Sequence, residues 1–536
     1  MSAIPLPAEA PRPFIKSLLA MLGICCVMML VGLDQTVVGT ALPTIIAELH
    51  GFDLYAWVAT SYLLTSVITV PVFGRLGDYY GRKSFVVAAI IVFTLASVLC
   101  GLSTSMTFLV LARALQGVGG GMLVGTAFAS VPDLFPDPRV RLRWQILITS
   151  AFGLASAIGP TLGGVLTEQY GWRSVFFVNA PVGLLGVYFV AWHMPTIRHH
   201  NNARIQLDWL GALLIAVSLG SLQLLVELLP GHHSGTMLSW LGAGSALAFA
   251  WLYFWERRCT YSLLPFEMFR NRTISVLFLL AFLMGTASFS VMFYVPLMLQ
   301  GGFGLSPQDA GLLVTPMMVG IPVASLINGR VIPRLKRPLI MLYVGFAALA
   351  LSSLGVIFTQ ADTPHWLFGV YMALSGMGVG FVMPNLTIFG QLAAPPHHLG
   401  IATATTQSLR MVGGMIGTAL VGTVVDHAYQ SQVTFVLRTM DATTWLDRLR
   451  NPQVLLDQEG QRQVMAQLAA QGLNPETLFE GIHAVLVNAI HISQYVGLGV
   501  SLLGLLLVRR VPPLMLKQRR EHETAESAAA TVGLSE

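Results

Sequence analysis

The sequence repeats one pattern from end to end, in which apolar runs of membrane-spanning length alternate with short polar or basic connections. A helix needs about 20 predominantly apolar residues to cross the hydrocarbon core of a bilayer. Fourteen such runs can be marked, at about residues 18–42, 55–74, 84–102, 106–130, 143–167, 172–192, 208–229, 236–255, 273–299, 308–329, 339–358, 365–389, 400–425 and 483–508. Alternating ten-residue segments typical of outer-membrane barrels do not occur. The pattern predicts an all-α integral membrane protein.

The scarcity of charge supports a membrane environment. Only 10% of the 536 residues are charged, whereas a soluble domain has about 25%, and this excludes soluble enzymes and disordered chains. The net charge of +5 does not indicate nucleic-acid binding, because the basic residues separate apolar runs instead of forming a patch. The four cysteines have no metal-ligand spacing, so we predict no metal and no cofactor.

The distribution of lysine and arginine predicts the orientation. With the N-terminus inside, most basic residues fall in inner connections, whereas the short outer loops contain only Arg173. Cytoplasmic loops carry such an excess of positive charge. We therefore expect an even number of spans, with both termini in the cytoplasm.

Short features recur eight spans apart and predict two related halves. Pro43 in span 1 matches Pro296 in span 9, and Gly74-Arg75 matches Gly329-Arg330. Two six-helix halves are a common transporter architecture. The predicted organisation is a cytoplasmic N-terminus (1–17), an N-terminal half (18–192), a linker with two inserted helices (193–272), a C-terminal half (273–508) and a cytoplasmic tail (509–536).

One polar segment, residues 426–482, interrupts the series of apolar spans in the C-terminal half. It contains a helical pattern around Val454 to Leu473. Two interpretations stay open: a small platform outside the membrane, or simply a long loop.

Two charged residues inside the first half are candidates for proton coupling. Asp34 lies in span 1 and Arg113 in span 4, and a charge at the bilayer centre costs about 2.5–3.5 kcal/mol on insertion scales. Low dielectric favours a neutral carboxyl, so Asp34 could exchange a proton near neutral pH. Arg113 would stay charged and tune it. The alternative is a purely structural ion pair.

The connection after span 2 and the middle of span 5 carry two glycine motifs. GRLGDYYGRK contains an inner-side constellation, in which two glycines allow a tight turn and the acid can cap the next helix; its residues are Gly74, Asp78, Gly81, Arg82 and Lys83. GLASAIGPTLGG combines small residues, which allow close helix approach, with a proline that promotes a kink; its residues are Gly153, Gly159, Pro160, Gly163 and Gly164.

Two further charged residues within spans, Glu227 and Arg410, are candidates for lining a substrate cavity. Glu227 could attract a cationic compound, although it lies near the end of an inserted helix. Arg410 precedes a glycine-rich stretch, and a role in helix packing is an equal alternative.

Four of these motifs occur in one order: LDQTVVGTALP, GRLGDYYGRK, LARALQGVGGG and GLASAIGPTLGG, with GWRSVFFVNAP and SLRMVGGMIGTAL in addition. With them the chain resembles the fourteen-span drug/proton antiporters of the major facilitator superfamily. The resemblance implies alternating access in the cell inner membrane, with proton influx driving the export of lipophilic compounds.

The same resemblance implies roles for the motifs. Asp34 and Arg113 would serve proton coupling, the Asp78 loop would control the inner gate, and the span 5 motif would mark an exporter. Similar pumps can join a periplasmic adaptor and an outer-membrane channel. The second-half loop GRVIPRLKRP departs from the pattern because no acid stands at the position of Asp78.

Competing functions stay open at this point. A dedicated exporter of one metabolite, such as a siderophore, a fatty acid or an antibiotic, would use the same parts, and a nutrient symporter is compatible with the fold alone. An enzyme is not expected, because nucleotide-binding loops, HExxH pairs and nucleophile elbows are missing from the sequence.

Overall fold

The computed structural model describes residues 14–49, 54–135, 137–195, 208–228, 235–259, 266–305, 307–395, 398–439, 443–449, 455, 458–470 and 474–512. Within these ranges every regular element is helical. The first nine helices are α1 (Phe14–Leu49), α2 (Tyr55–Tyr80), α3 (Arg82–Gly101), α4 (Met106–Leu134), α5 (Pro138–Tyr170), α6 (Ser174–Phe177), α7 (Asn179–His193), α8 (Trp209–Leu228) and α9 (Gly235–Glu256).

The remaining helices are α10 (Phe266–Arg270), α11 (Arg272–Leu297), α12 (Pro307–Val331), α13 (Ile340–Ile357), α14 (His365–Ala393), α15 (Leu399–Thr439), α16 (Leu446–Leu449), α17 (Gln458–Ala470) and α18 (Pro475–Val508). A π-helical turn, Met298–Gly302, extends α11.

The predicted all-α membrane fold is confirmed. Each predicted span coincides with a helix or, for 172–192, with the consecutive helices α6 and α7. Eleven segments of the described chain are long and apolar enough to cross a membrane. The exact number of fourteen spans therefore stays a prediction.

The structure differs from the predicted bounds of the 426–482 segment. The helix α15 continues to Thr439 and α18 already begins at Pro475. Buried side chains recur every four residues along the continuation of α15, at Val425, Tyr429, Val433 and Leu437. This spacing places them on one helix face, where they join a cluster that includes Val464 and Leu468 of α17. Hydropathy alone could not show this, because the continuation is amphipathic and not uniformly apolar.

The chain divides into two compact units. Unit 1 contains Met1–Asp208 and Pro396–Ala404, and unit 2 contains Trp209–Pro395 and Thr405–Glu536. In unit 1, α1 packs on α5 and α7, while α4 packs on α2 and α3. In unit 2, α14 packs on α12 and α13, α18 packs on α11 and α13, and α8 packs on α9.

The same close contact between backbones occurs once in each unit, between helices that correspond in the predicted repeat. A methyl group on Gly32 of α1 would overlap the Phe152 carbonyl of α5, and a methyl group on Gly285 of α11 would overlap the Arg410 carbonyl of α15. Gly32 stands eleven residues before Pro43, and Gly285 stands eleven residues before Pro296. These contacts align α1 with α11 and α5 with α15.

A second pair of contacts aligns α4 with α14. A methyl group on Gly117 would overlap the Tyr62 carbonyl of α2, and one on Gly376 would overlap the Met317 carbonyl of α12. Lipid offers no hydrophobic drive for helix association, so close van der Waals contact at such glycines holds membrane helices together. The two alignments give equivalent positions in the two units.

We expect a Gly159→Leu substitution to abolish transport while leaving membrane insertion intact. A leucine there would overlap Thr36, and overpacking of this kind costs about 1–3 kcal/mol. Transport in proteoliposomes and the yield of membrane-inserted protein measure the two effects.

Gly244→Leu is the matched control, because Gly244 on α9 has open space around it. It should transport as the unmodified protein does. Full transport by a well-expressed Gly159→Leu protein would contradict the packing argument.

Candidate functional site

Asp34 of α1 and Arg113 of α4 form a buried ion pair in unit 1. The distance between Arg113 Nη1 and Asp34 Oδ2 is 2.7 Å, and both residues are 2% exposed. Helices α1 and α4 are in contact, as expected for a pair that joins them. The structure thus brings together the two residues that the sequence singles out.

Two buried amides complete the surroundings of the carboxylate. Gln116 Nε2 donates to Asp34 Oδ1 at 2.7 Å, and Asn179 Nδ2 lies 3.2 Å from the same oxygen. Gln116 also accepts from Arg113 Nη1 at 2.8 Å, while Asn179 Nδ2 lies 2.9 Å from Ser97 Oγ. Helices α3, α4 and α7 therefore all contribute to the binding of one carboxylate on α1.

The guanidinium group of Arg113 makes two further contacts. Its Nε donates to the Val58 carbonyl at 3.2 Å, and its central carbon lies 4.6 Å from the centre of the Tyr62 ring. A cation over an aromatic face is stabilised by the ring quadrupole. The pair is therefore desolvated, hydrogen-bonded and internally neutral.

Sequence reasoning missed Gln116 and Asn179. Gln116 follows Arg113 by three residues, so the two side chains share one face of α4. Asn179 is the first residue of α7, directly after the break from α6. A signal was present, since a buried amide in lipid needs a hydrogen-bond partner, and both lie in the quoted motifs LARALQGVGGG and GWRSVFFVNAP.

This ion pair has no counterpart at the equivalent described positions of unit 2. The alignment at Gly32 and Gly285 places Ala287 where unit 1 has Asp34. The alignment at Gly117 and Gly376 places Met372 where unit 1 has Arg113. Both side chains are buried. The same helix contacts thus form in unit 2 with two apolar side chains at the equivalent positions.

The GRLGDYYGRK motif is not the loop that the sequence predicts. Helix α2 continues to Tyr80, and only Gly81 lies between α2 and α3. Gly81 has a φ of +89°, a left-handed conformation that favours glycine, so this part of the turn prediction is confirmed. Gly74 instead lies buried inside α2. The side chain of Asp78 is outside the described part of the structure.

Arg82 forms a second buried ion pair, with Asp133 near the end of α4. The two side chains are 2% and 6% exposed. Sequence reasoning missed Asp133 because the predicted span ends before it, whereas α4 continues to Leu134. Lys83, the next residue of the motif, is half-buried.

The remaining candidate residues belong to the span 5 motif and to the two charged positions Arg410 and Glu227. Gly153, Gly159 and Gly163 are buried in α5, while the surroundings of Pro160 and Gly164 lie outside the described part. Arg410 is half-buried in α15, and its Nε donates to Gln407 Oε1 at 3.2 Å. The side chain of Glu227 is also outside the described part.

A set of polar contacts in unit 1 links the end of α1 to the α5–α6 connection and to the α3–α4 connection. Trp172 Nε1 donates to Glu48 Oε2 at 2.7 Å, and Arg173 donates to Glu48 and to the Ser103 carbonyl. The hydrogen bond from Arg173 lowers the pKa of the Glu48 carboxyl. A depressed pKa keeps the carboxylate ionised at neutral pH, and this contact is lost only as the pH falls through that lowered value.

The Asp34 site can change its net charge by one. With Asp34 ionised, the pair with Arg113 is neutral; with Asp34 protonated, a single positive charge is left, because arginine does not lose its proton in proteins. A buried site of this kind has two electrostatic states that differ by one proton.

Comparison with known proteins decides the family. The family model described as Major Facilitator Superfamily matches residues 24–418. The chain belongs to the Major Facilitator Superfamily. It is a multi-pass membrane protein, and its relatives in this superfamily are named as transporters.

Two relatives from Bacillus subtilis (strain 168) are similar over most of their length. Multidrug transporter protein MdtP is 30% identical over 531 residues, 96% of either chain. Multidrug resistance protein 3 is 32% identical over 414 residues, 77% of this chain and 80% of the relative.

A solved structure supports the fold. The crystal structure of the human organic anion transporter MFSD10 (TETRAN) matches with a TM-score of 0.57 at 15% identity, covering 93% of this chain and 100% of that one. At this identity the likeness shows the fold alone.

We expect Asp133→Asn to destabilise the protein by up to about 3–5 kcal/mol, because it removes the Asp133 carboxylate from the buried Arg82 charge. Thermal unfolding in detergent measures the effect. The double variant Arg82→Leu/Asp133→Leu removes both charges and should recover much of the loss. Equal melting of the single variant and the unmodified protein would contradict the buried-pair interpretation.

We expect Asn179→Ala to lower transport, because Asn179 donates to the Asp34 carboxylate and the substitution removes one of the side chains that hold this carboxylate in place. Initial transport rates in proteoliposomes measure the effect. Asn488→Ala, which removes an exposed asparagine of α18, is the control and should transport as the unmodified protein does. A wild-type rate for Asn179→Ala would refute the assignment.

Proposed function

We propose that the protein is a proton-coupled antiporter that exports lipophilic small molecules across the cell inner membrane by alternating access. Both termini would lie in the cytoplasm, and the proton gradient would be the energy source, with no cofactor. The names of the two Bacillus relatives support drug export. The observation that carries proton coupling is the desolvated Asp34–Arg113 pair in unit 1.

The fold itself does not require this ion pair. A buried pair often adds no stability over apolar residues of similar size, because desolvation offsets the attraction. Unit 2 has apolar side chains instead, since the buried residues Ala287 and Met372 occupy the equivalent positions. Retaining a carboxylate and an arginine in unit 1 therefore points to a role in the transport cycle.

Protonation of Asp34 supplies the switch in this proposal. The ionised carboxylate binds Arg113, Gln116 and Asn179 and so joins α1 to α4 and α7. A proton taken up from the outer side cancels the attraction to Arg113 and weakens this junction. Release of the proton to the cytoplasm restores it. A membrane potential contributes about 2.3 kcal/mol per charge per 100 mV to this cycle.

The inner-side motif would act as the gate. Arg82 and Asp133 fix the start of α3 against the end of α4, and Gly81 makes the turn between α2 and α3. We assign gate control to Asp78 on the resemblance of GRLGDYYGRK. A periplasmic adaptor and an outer-membrane channel are optional partners in this proposal.

Asp34→Asn is the central test. The variant keeps the shape of the side chain and removes its titration, so uphill export driven by a pH gradient should stop while equilibrium binding of a lipophilic substrate persists. Proteoliposomes with an imposed pH gradient and a fluorescent drug measure export, and Asp34→Glu should keep partial activity.

Asp362→Asn is the matched control, because Asp362 is an exposed acid between α13 and α14. It should export at the wild-type rate. Uphill export by Asp34→Asn at that same rate would place the coupling group elsewhere in the chain.

A further inference from the structure

The two arginines within spans differ in what surrounds them. Arg113 has a counter-ion at 2.7 Å. Arg410 lies near the middle of the predicted span 400–425, and no carboxylate among the described residues pairs with it. A positive charge at this depth costs about 2.5–3.5 kcal/mol even on insertion scales. Its presence without an internal counter-ion needs an explanation.

Within the described part of the structure, the side chain of Arg410 is held at its Nε edge. Its Nε donates to Gln407 Oε1 at 3.2 Å, and Gln407 Nε2 donates to Thr387 Oγ1 of α14 at 3.4 Å. Thr387 in turn donates to the Met383 carbonyl at 3.1 Å. Gln407 and Thr387 are each 1% exposed. This buried chain holds the Nε edge, and no acceptor among the described residues bonds to the two Nη groups at the other end of the guanidinium.

Helix packing does not account for an arginine at this position. The alignment of α5 with α15 makes Phe152 the equivalent of Arg410. A methyl group on Gly32 would overlap the Phe152 carbonyl, and one on Gly285 would overlap the Arg410 carbonyl. The same close contact between backbones thus forms with an apolar side chain in unit 1, so the charge in unit 2 serves another purpose.

An aromatic surface lies one helical turn from Arg410. The ring of Phe289 packs against Gly414, and Phe293 lies beside it, with ring centres 6.0 Å apart. Phe289 is half-buried and Phe293 is exposed. A bound molecule that reaches both features would carry a negative group and an apolar body.

We propose that Arg410 binds the anionic group of an amphipathic organic substrate, a carboxylate, sulfonate or phosphate. The inference rests on the proposed transport function and names a substrate class for it. Two parallel N–H donors match the oxygens of such a group in a bidentate geometry. Low dielectric around the site strengthens the attraction. Gln407 is a positioning residue that orients the guanidinium.

Equilibrium binding tests the site independently of transport. Tritiated taurocholate, a steroid sulfonate, and tritiated tetraphenylphosphonium, a lipophilic cation, are bound to the purified full-length protein in a scintillation proximity assay. We expect saturable taurocholate binding to the unmodified protein. Arg410→Gln should weaken it about tenfold or more, as expected for loss of a charged hydrogen bond, and tetraphenylphosphonium binding should be unchanged.

Gln407→Glu gives a second, independent variant. It keeps Arg410 but places a carboxylate where Gln407 Oε1 now accepts from it, so an internal counter-ion should compete with taurocholate and weaken its binding. Arg410→Lys keeps the positive charge but lacks the two parallel N–H donors of the guanidinium, so it should bind taurocholate with intermediate affinity. Arg448→Gln removes an exposed arginine outside the spans and should bind both probes normally.

Absence of saturable taurocholate binding to the unmodified protein would overturn the proposal, as would equal affinity in the unmodified protein, Arg410→Gln and Gln407→Glu. Parallel proteoliposome assays separate this result from the transport function. Uphill export of tetraphenylphosphonium without taurocholate binding rejects the anion site and keeps the antiporter. Arg410-dependent taurocholate binding without gradient-driven movement of either probe rejects the antiporter and keeps the site.

Discussion

Close contact between helix backbones at glycine is the constraint on which the other features depend. Lipid surrounds the helices with a medium as apolar as their own side chains, so association relies on short-range packing. Gly159 brings α5 against α1, and Gly117 brings α4 against α2. These approaches fix the positions of α1 and α4 tightly enough for Asp34 and Arg113 to meet at hydrogen-bond distance.

The two units solve the same packing problem with different chemistry. Where unit 1 has the Asp34–Arg113 pair, unit 2 has Ala287 and Met372, and where unit 1 has Phe152, unit 2 has Arg410. Each unit therefore has charge at a position where the other unit is apolar. In unit 1 the charge of Arg113 is paired with Asp34, which suits proton exchange, whereas the Nη groups of Arg410 in unit 2 suit an external anion.

Much of the fold could be predicted from the sequence because a helix that crosses lipid must be about 20 residues long and predominantly apolar. Charges in apolar runs are costly, so the sequence alone marks Asp34 and Arg113 as a candidate site. Amides are less costly and common, so Gln116 and Asn179 carried no comparable signal. The continuation of α15 was hidden because its apolar residues occupy only one face, and Asp133 was missed because α4 extends beyond its apolar run.

The length of α15 has a mechanical consequence. It is one helix of 41 residues, about 60 Å at 1.5 Å per residue, twice the thickness of the hydrocarbon core of about 30 Å. Gly413 and Gly417 pack closely against α11, while the C-terminal end of α15 packs in the cluster that includes residues of α17. Because the helix is this long, a small tilt of α15 relative to α11 at the glycine contact displaces Leu437 by several ångströms. The polar segment beyond the span is thereby coupled to the geometry of the helix that carries Arg410.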